Sequence, residues 1–394
     1  MDLKQIYLFL LILSAFISIS VFEIFVVIGV LWAFYEFFKS RKIEGVLKLP
    51  VLVFGGVSVL STVFFAPKMI AKSIEEGIFQ FLYFLKIKAD RDLAFKLIIF
   101  FIIIGILLLP VVFYKYYRFS QPIPVWGSTF ETGQFYGMFA VMSAFLGFYF
   151  YKEKDKKFIL FAFLSLLFFV VLVLTHRRSP LLGFMIAGYL SFIVLYLNGY
   201  MKKVLFWGAN IFLSVLIVGG YFYLSKTDVR FQTLNDILLG KKEISFNKLN
   251  RISSARVGIG IDAVNIIKED IKQGNWLNLL IGHGVRSGYY LPHKYTPKTF
   301  GKYESIFIIS ELIEKGIIGL IAILGIFFLV FKRFVTVKIK EPFDVVALGL
   351  FVPLLIHLVG SVFTFFWDAL LPMYLLLFKI GEMYFDSRYA DQQK

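Results

Sequence analysis

Apolar runs of about twenty residues follow one another almost from end to end of the 394-residue chain, and a helix of that length crosses the hydrocarbon layer of a bilayer. Inside lipid every backbone N–H and C=O must find an internal partner, so such a chain folds as a helical bundle. Composition agrees, since 59% of the residues are hydrophobic and only 17% charged, against roughly 45–50% and 25% in soluble domains. The expected fold is therefore all-α, a polytopic membrane bundle of about twelve spans at 4–20, 22–38, 49–66, 69–86, 93–112, 133–151, 158–175, 180–197, 204–224, 304–331, 343–361 and 366–385. Glu23 weakens the second of these, and Lys72, Glu75 and Glu76 interrupt the fourth. No small-residue cleavage site follows the first apolar stretch, so it reads as a retained span rather than a secretory signal.

The formal charge of +16 raises nucleic acid as a partner, but in a membrane protein excess Lys and Arg first report orientation. With the N-terminus cytoplasmic, the inner connections are KSRKIEGVLK, KIKADRD, YKEKDKK, NGYMKK and KRFVTVKIK. Each is basic, as the positive-inside rule requires, and the even span count returns the C-terminus to the same side. The absence of cysteine excludes disulfides, thiol catalysis and thiolate metal sites.

Two features run against this charge pattern. Between the spans at 158–175 and 180–197 lies THRRSP, with His176, Arg177 and Arg178 side by side. One continuous helix over both spans would be about 60 Å long, twice the bilayer, so the chain turns back near Pro180. Parity puts that turn on the outer side. On the same side falls the long polar stretch 225–303, where thirteen Lys and Arg against six Asp and Glu leave +7. The chain thus divides into spans one to nine (1–224), an external loop (225–303), and spans ten to twelve with the C-terminal tail (304–394). A loop this long in a compact membrane protein is usually functional. No aromatic-interleaved basic platform for nucleic acid is visible in it. The arginines of THRRSP suit either lipid headgroups in an ordinary interfacial loop or the oxygens of a diphosphate, which the planar guanidinium grips bidentately. Within the loop, Ser253 as N-cap, apolar residues at helical spacing and a Gly274 stop predict an amphipathic helix over 254–273. Arg256 in its first turn opposes the helix dipole.

Other polar groups read more plainly. GHGVRSG, residues 282–288, lacks a surrounding βαβ unit and reads as a turn that folds the loop back. His283 and His293 stand in irregular chain without clustered acids, a poor metal site, and His357 reads as a bundle-packing residue. Asp90 and Asp92 form a DxD in a short charged turn, better read as a salt-rich loop than a metal site. Glu304 stands where the loop enters span ten, with Glu311 and Glu314 further along. A carboxylate there serves either as a general base toward a hydroxyl or as an N-terminal acid stabilised by the helix dipole.

Four stretches, in order, resemble the O-antigen ligase and O-antigen polymerase superfamily, membrane glycosyltransferases that use undecaprenyl-diphosphate-linked glycans. They are STFETGQFYGMFAVM, LTHRRSPLLGF, SSARVGIGIDAVNIIKED with LLIGHGVRSG, and YESIFIISELIEKGIIGL. The resemblance implies a bacterial inner-membrane protein whose periplasmic loop covers an outer cavity, with Arg178 and Arg256 holding the lipid diphosphate and Arg177 or Arg251 assisting. It implies transfer of a glycan to a lipid A-core hydroxyl, or in a polymerase to another lipid-linked unit, without cofactor or metal. The ligases carry a histidine at the start of the closing segment, where this chain has Glu304-Ser305, so the implied base is Glu304 or His293. A transporter of anionic lipid or polysaccharide is the expectation from a different class.

Overall fold

The computed structural model describes residues 2–390 other than 228, 242, 254, 293, 296–305, 365 and 367. Among these residues every regular element is helical. The main helices are α1 (Leu3–Ile17), α2 (Ile19–Ser40), α3 (Lys48–Phe65), α4 (Ile70–Glu76), α5 (Arg91–Phe119), α6 (Thr129–Lys152), α7 (Lys157–Leu174), α8 (Arg178–Leu197) and α9 (Lys203–Thr227). They are followed by α10 (Val229–Leu238), α11 (Phe246–Ile252), α12 (Arg256–Gln273), α13 (Trp276–Ile281), α14 (Phe307–Val335), α15 (Pro342–Leu348), α16 (Val352–Ser361) and α17 (Leu371–Ala390). Among the described residues six helices, α2, α3, α5, α7, α8 and α14, are long and apolar enough to cross a membrane, and α15 with α16, bent by 41°, makes a seventh if the pair is one span. The chain is a membrane protein built as a helical bundle.

Helices α6 and α17 are long but less apolar because their neighbours are protein rather than lipid. Most of α6 from Thr132 to Gly147 is buried, and α17 is buried from Leu371 to Ile380. A capping box starts α6, with Glu131 Oε2 accepting from the Ser128 N–H at 2.7 Å. Asp90 N-caps α5 by accepting from the Leu93 N–H at 2.8 Å, and Asp92 pairs with Lys96, so the DxD is spent on starting a helix.

The expected fourth span, 69–86, is not one helix. It is a 3₁₀ turn at Pro67–Met69, the short α4, and a 3₁₀ stretch at Ile78–Phe84, packed against α2, α3 and α17. Irregular backbone at membrane depth persists only when protein encloses it, and Glu76, Gln80, Leu82 and Tyr83 on this segment are almost wholly buried. The expected tenth span is likewise broken, since α14 carries Gly316 at φ 64°, ψ −169°. That backbone region belongs essentially to glycine.

The bundle has two distinct ends. At one, the five basic connections meet: Lys86 N–H donates to Glu36 (3.0 Å), Val46 N–H to Glu382 (2.7 Å), and Arg91 pairs with Glu341 at 3.5 Å. There too Asn198 bonds the Val337 carbonyl (3.0 Å), and Lys152 lies over the Tyr200 ring at 5.8 Å. At the other end lie the Thr175–Arg177 turn, helices α10 to α13, and residues 362–364, 366 and 368–370 between α16 and α17. The turn expected near Pro180 is thus present, with His176 at φ 53°.

Candidate functional site

The predicted loop helix is α12, closed by Gly274 at φ 72°. The helix begins at Arg256, later than expected, and its N-cap is Ala255 at φ 68° rather than Ser253, whose Oγ instead accepts from the Val257 N–H in the first turn at 3.2 Å. Its inner face buries Ile259, Ala263 and Ile266 against Ile313 of α14, and the buried Asp262 accepts from the Lys294 and Tyr295 N–H groups at 3.0 Å. These contacts hold the start of α12, and so Arg256, over the bundle.

The GHGVRSG turn does more than reverse the chain. His283 N–H donates to the Ile313 carbonyl (2.8 Å) and Gly284 N–H to that of Glu314 (3.0 Å), so the turn enters the break of α14. From there Arg286 Nε reaches Glu76 Oε1 on the broken span at 3.1 Å. Burial alone would lower the Arg286 guanidinium, but the Glu76 and Glu314 carboxylates outweigh it and hold it above its ordinary value. His283 itself is engaged by Asp270 (2.7 Å) and Asn278 (3.1 Å), a structural role.

Arg256 projects toward the end of α16. Its Nη2 donates to the Phe363 carbonyl at 2.9 Å and its Nη1 to that of Ser253 at 3.3 Å. Burial and then the positive charges of Arg230 and Arg178 hold its guanidinium below its ordinary value. Three arginines from three elements, the first residue of α8, the start of α10 and the first residue of α12, therefore share one electrostatic neighbourhood. Guanidinium groups gathered this way suit a polyanion.

Of the two arginines named by the resemblance, Arg178 lies close enough for its charge to act on Arg256. Arg177 takes a different part, since its Nε donates to Thr129 Oγ1 at 2.6 Å and ties the turn to the start of α6. Arg251 stands exposed in the last turn of α11, away from the role of second ligand. The expected bases Glu304 and His293 lie outside the described residues. Arg230 was one basic residue among thirteen in the loop sequence, with no local pattern to single it out.

Sequence reasoning missed Asp368. It lies between α16 and α17, in a stretch read as the start of the last span. Burial, reinforced by the nearby Glu131 charge and opposed by the Leu370 N–H, pushes its carboxyl up to about 7. Among the described residues its one hydrogen bond is from that N–H, at 2.8 Å. An acid within an apolar stretch was the signal available. His357 Nε2 donates to the Phe366 carbonyl at 2.9 Å, which keeps this short connection in place, as a packing residue would.

No family model matches the chain. Over 390 residues, 98% of its length, it is 48% identical to an uncharacterized protein of Aquifex aeolicus (strain VF5), covering 99% of that protein. The chain and that Aquifex aeolicus protein thus align over nearly their whole length, and the chain belongs to the same family.

Proposed function

We propose that this is a glycosyltransferase working at the outer face of the bacterial inner membrane, of the O-antigen ligase type, with an undecaprenyl-diphosphate-linked glycan as donor and a lipid A-core hydroxyl as acceptor. The observation that carries the reading is Arg256 seated on the Phe363 carbonyl, with Arg230 and Arg178 close enough for their charges to act on it. In this reading the acceptor oxygen attacks the anomeric carbon while the bond from that carbon to the diphosphate oxygen breaks. The electron pair goes to the departing diphosphate, whose growing charge the arginines stabilise. The acceptor proton goes to Asp368, a carboxyl whose affinity for protons lies near neutral pH, as a general base requires. No nucleotide is consumed, because the sugar–diphosphate bond already stores the energy. Five basic connections gathered at the opposite end support a cytoplasmic location for both termini.

The test is to incubate purified protein with a lipid-linked glycan and separate acceptors. Glycosylated lipid A core is the expected product. Ladders formed from donor alone indicate polymerase action, and movement of intact donor across liposomes without bond breakage indicates a transporter.

A further inference from the structure

Arg256 depends on a support that reaches far into the bundle. Its perch, the Phe363 carbonyl, lies three residues before Phe366, which is fully buried. Phe366 is held on both sides of its backbone. Its N–H donates to Glu311 Oε1 at 3.2 Å, and its carbonyl accepts from His357 Nε2 at 2.9 Å. Its ring meets that of Phe54 edge-on at 5.1 Å. The second oxygen of Glu311 accepts from Lys315 Nζ at 2.6 Å, and Lys315 also reaches Glu314 Oε2 at 3.3 Å.

Glu311 and Lys315 are 1% and 0% exposed. Desolvating such a pair costs as much as its attraction returns, so apolar residues of similar size would serve stability as well. What an apolar pair cannot supply is an acceptor of fixed orientation for the Phe366 amide. With both oxygens engaged, Glu311 is also ill placed to take a proton from an acceptor hydroxyl.

We propose that Glu311, oriented by Lys315, and His357 are positioning residues that pin Phe366 and thereby aim the Arg256 guanidinium at a diphosphate. The proposal rests on the anion-binding reading of the arginines, and its test separates the two. Inorganic pyrophosphate is titrated into the detergent-solubilised full chain. Three variants are compared with the parent: Arg256→Ala, Glu311→Leu with Lys315→Met, and His357→Leu. The paired variant removes both charges together, with Glu314 giving up its contact with Lys315 but keeping the one from the Arg286 N–H at 3.2 Å, and His357→Leu removes the other pin without touching a charge. Pyrophosphate affinity is expected to fall about tenfold in the paired variant and a few-fold in His357→Leu. Glu311→Gln with Lys315→Met should recover most of the loss, since glutamine restores the acceptor. Combined with Arg256→Ala, neither change should weaken binding further, because a positioning effect vanishes with the group positioned. If Arg256→Ala binds pyrophosphate as the parent does, the anion-site reading itself fails. If Arg256→Ala weakens binding while both other variants match the parent, or their losses add in full to that of Arg256→Ala, the positioning inference is overturned. Should the paired variant fail to fold, His357→Leu decides by the same two outcomes.

Discussion

Replacing Asp368 by Asn tests the site through stability and activity at once. In the folded chain this carboxyl is pushed from the ordinary 3.8 up to about 7. Between those values the folded state holds a proton that the unfolded chain releases, so stability falls as pH climbs from about 4 through about 7. Three pH units at about 1.36 kcal/mol each set a ceiling of about 4 kcal/mol, and the partial exposure of Asp368 reduces this to about 2 kcal/mol. Asn keeps an oxygen for the Leu370 N–H and carries no charge. The variant should therefore match the parent near pH 4 and be about 2 kcal/mol more stable at pH 8.5. Unfolding of the detergent-solubilised protein, followed by tryptophan fluorescence at both pH values, measures this. The same change should lower transfer by about a hundredfold, while the parent's rate rises with pH through about 7. A variant that is less stable at pH 8.5, or that transfers at the parental rate, would refute the reasoning.

Arg178→Ala should abolish transfer and weaken pyrophosphate binding with little change in melting, whereas Arg177→Ala should act mainly by loosening the turn from Thr129; kinetics and melting of the two variants separate the roles. Gly316→Ala would place a Cβ against the Leu280 carbonyl group and 2.6 Å from the Gly282 nitrogen, in a backbone region that alone costs about 1–3 kcal/mol for a side chain. Its melting temperature should fall clearly below the parent's, and an unchanged value would contradict the threaded turn. His176→Cys, in a chain without cysteine, should react with a membrane-impermeant thiol reagent added from the outer side, and reaction only from the cytoplasmic side would invert the assignment. Transfer should survive EDTA, because the arginines provide the positive charge; inhibition reversed by a divalent cation would count against that.

What could be read in advance follows from the range of the forces concerned. Helix α12 was legible because its apolar spacing and Gly274 stop are local, and the turn before α8 because two spans cannot fit in one bilayer-length helix. The broken span at 67–85 could only be flagged, by Lys72, Glu75 and Glu76, since Arg286, which neutralises Glu76, stands 210 residues away. The pairing of Arg178 with Arg256 was legible only through motif order, as no local pattern links α8 to α12. Asp368 was absorbed into a span because hydropathy averages one acid away among its apolar neighbours, and its proton affinity depends first on burial by the fold and only then on Glu131 of a distant helix. Arg251, expected only to assist Arg256, stands exposed in the last turn of α11.

The bond between Arg256 and the Phe363 carbonyl joins residues 107 positions apart, with α14, α15 and α16 made in between. A chain emerging from the ribosome therefore carries Arg178, Arg230 and Arg256 well before the Phe363 backbone that holds Arg256 exists. The turn at 282–288 likewise waits for α14 to be inserted before it has a break to enter. Assembly of the anion site is thus tied to completion of the last spans, so a chain truncated before residue 363 would display its positive charge without a directed guanidinium.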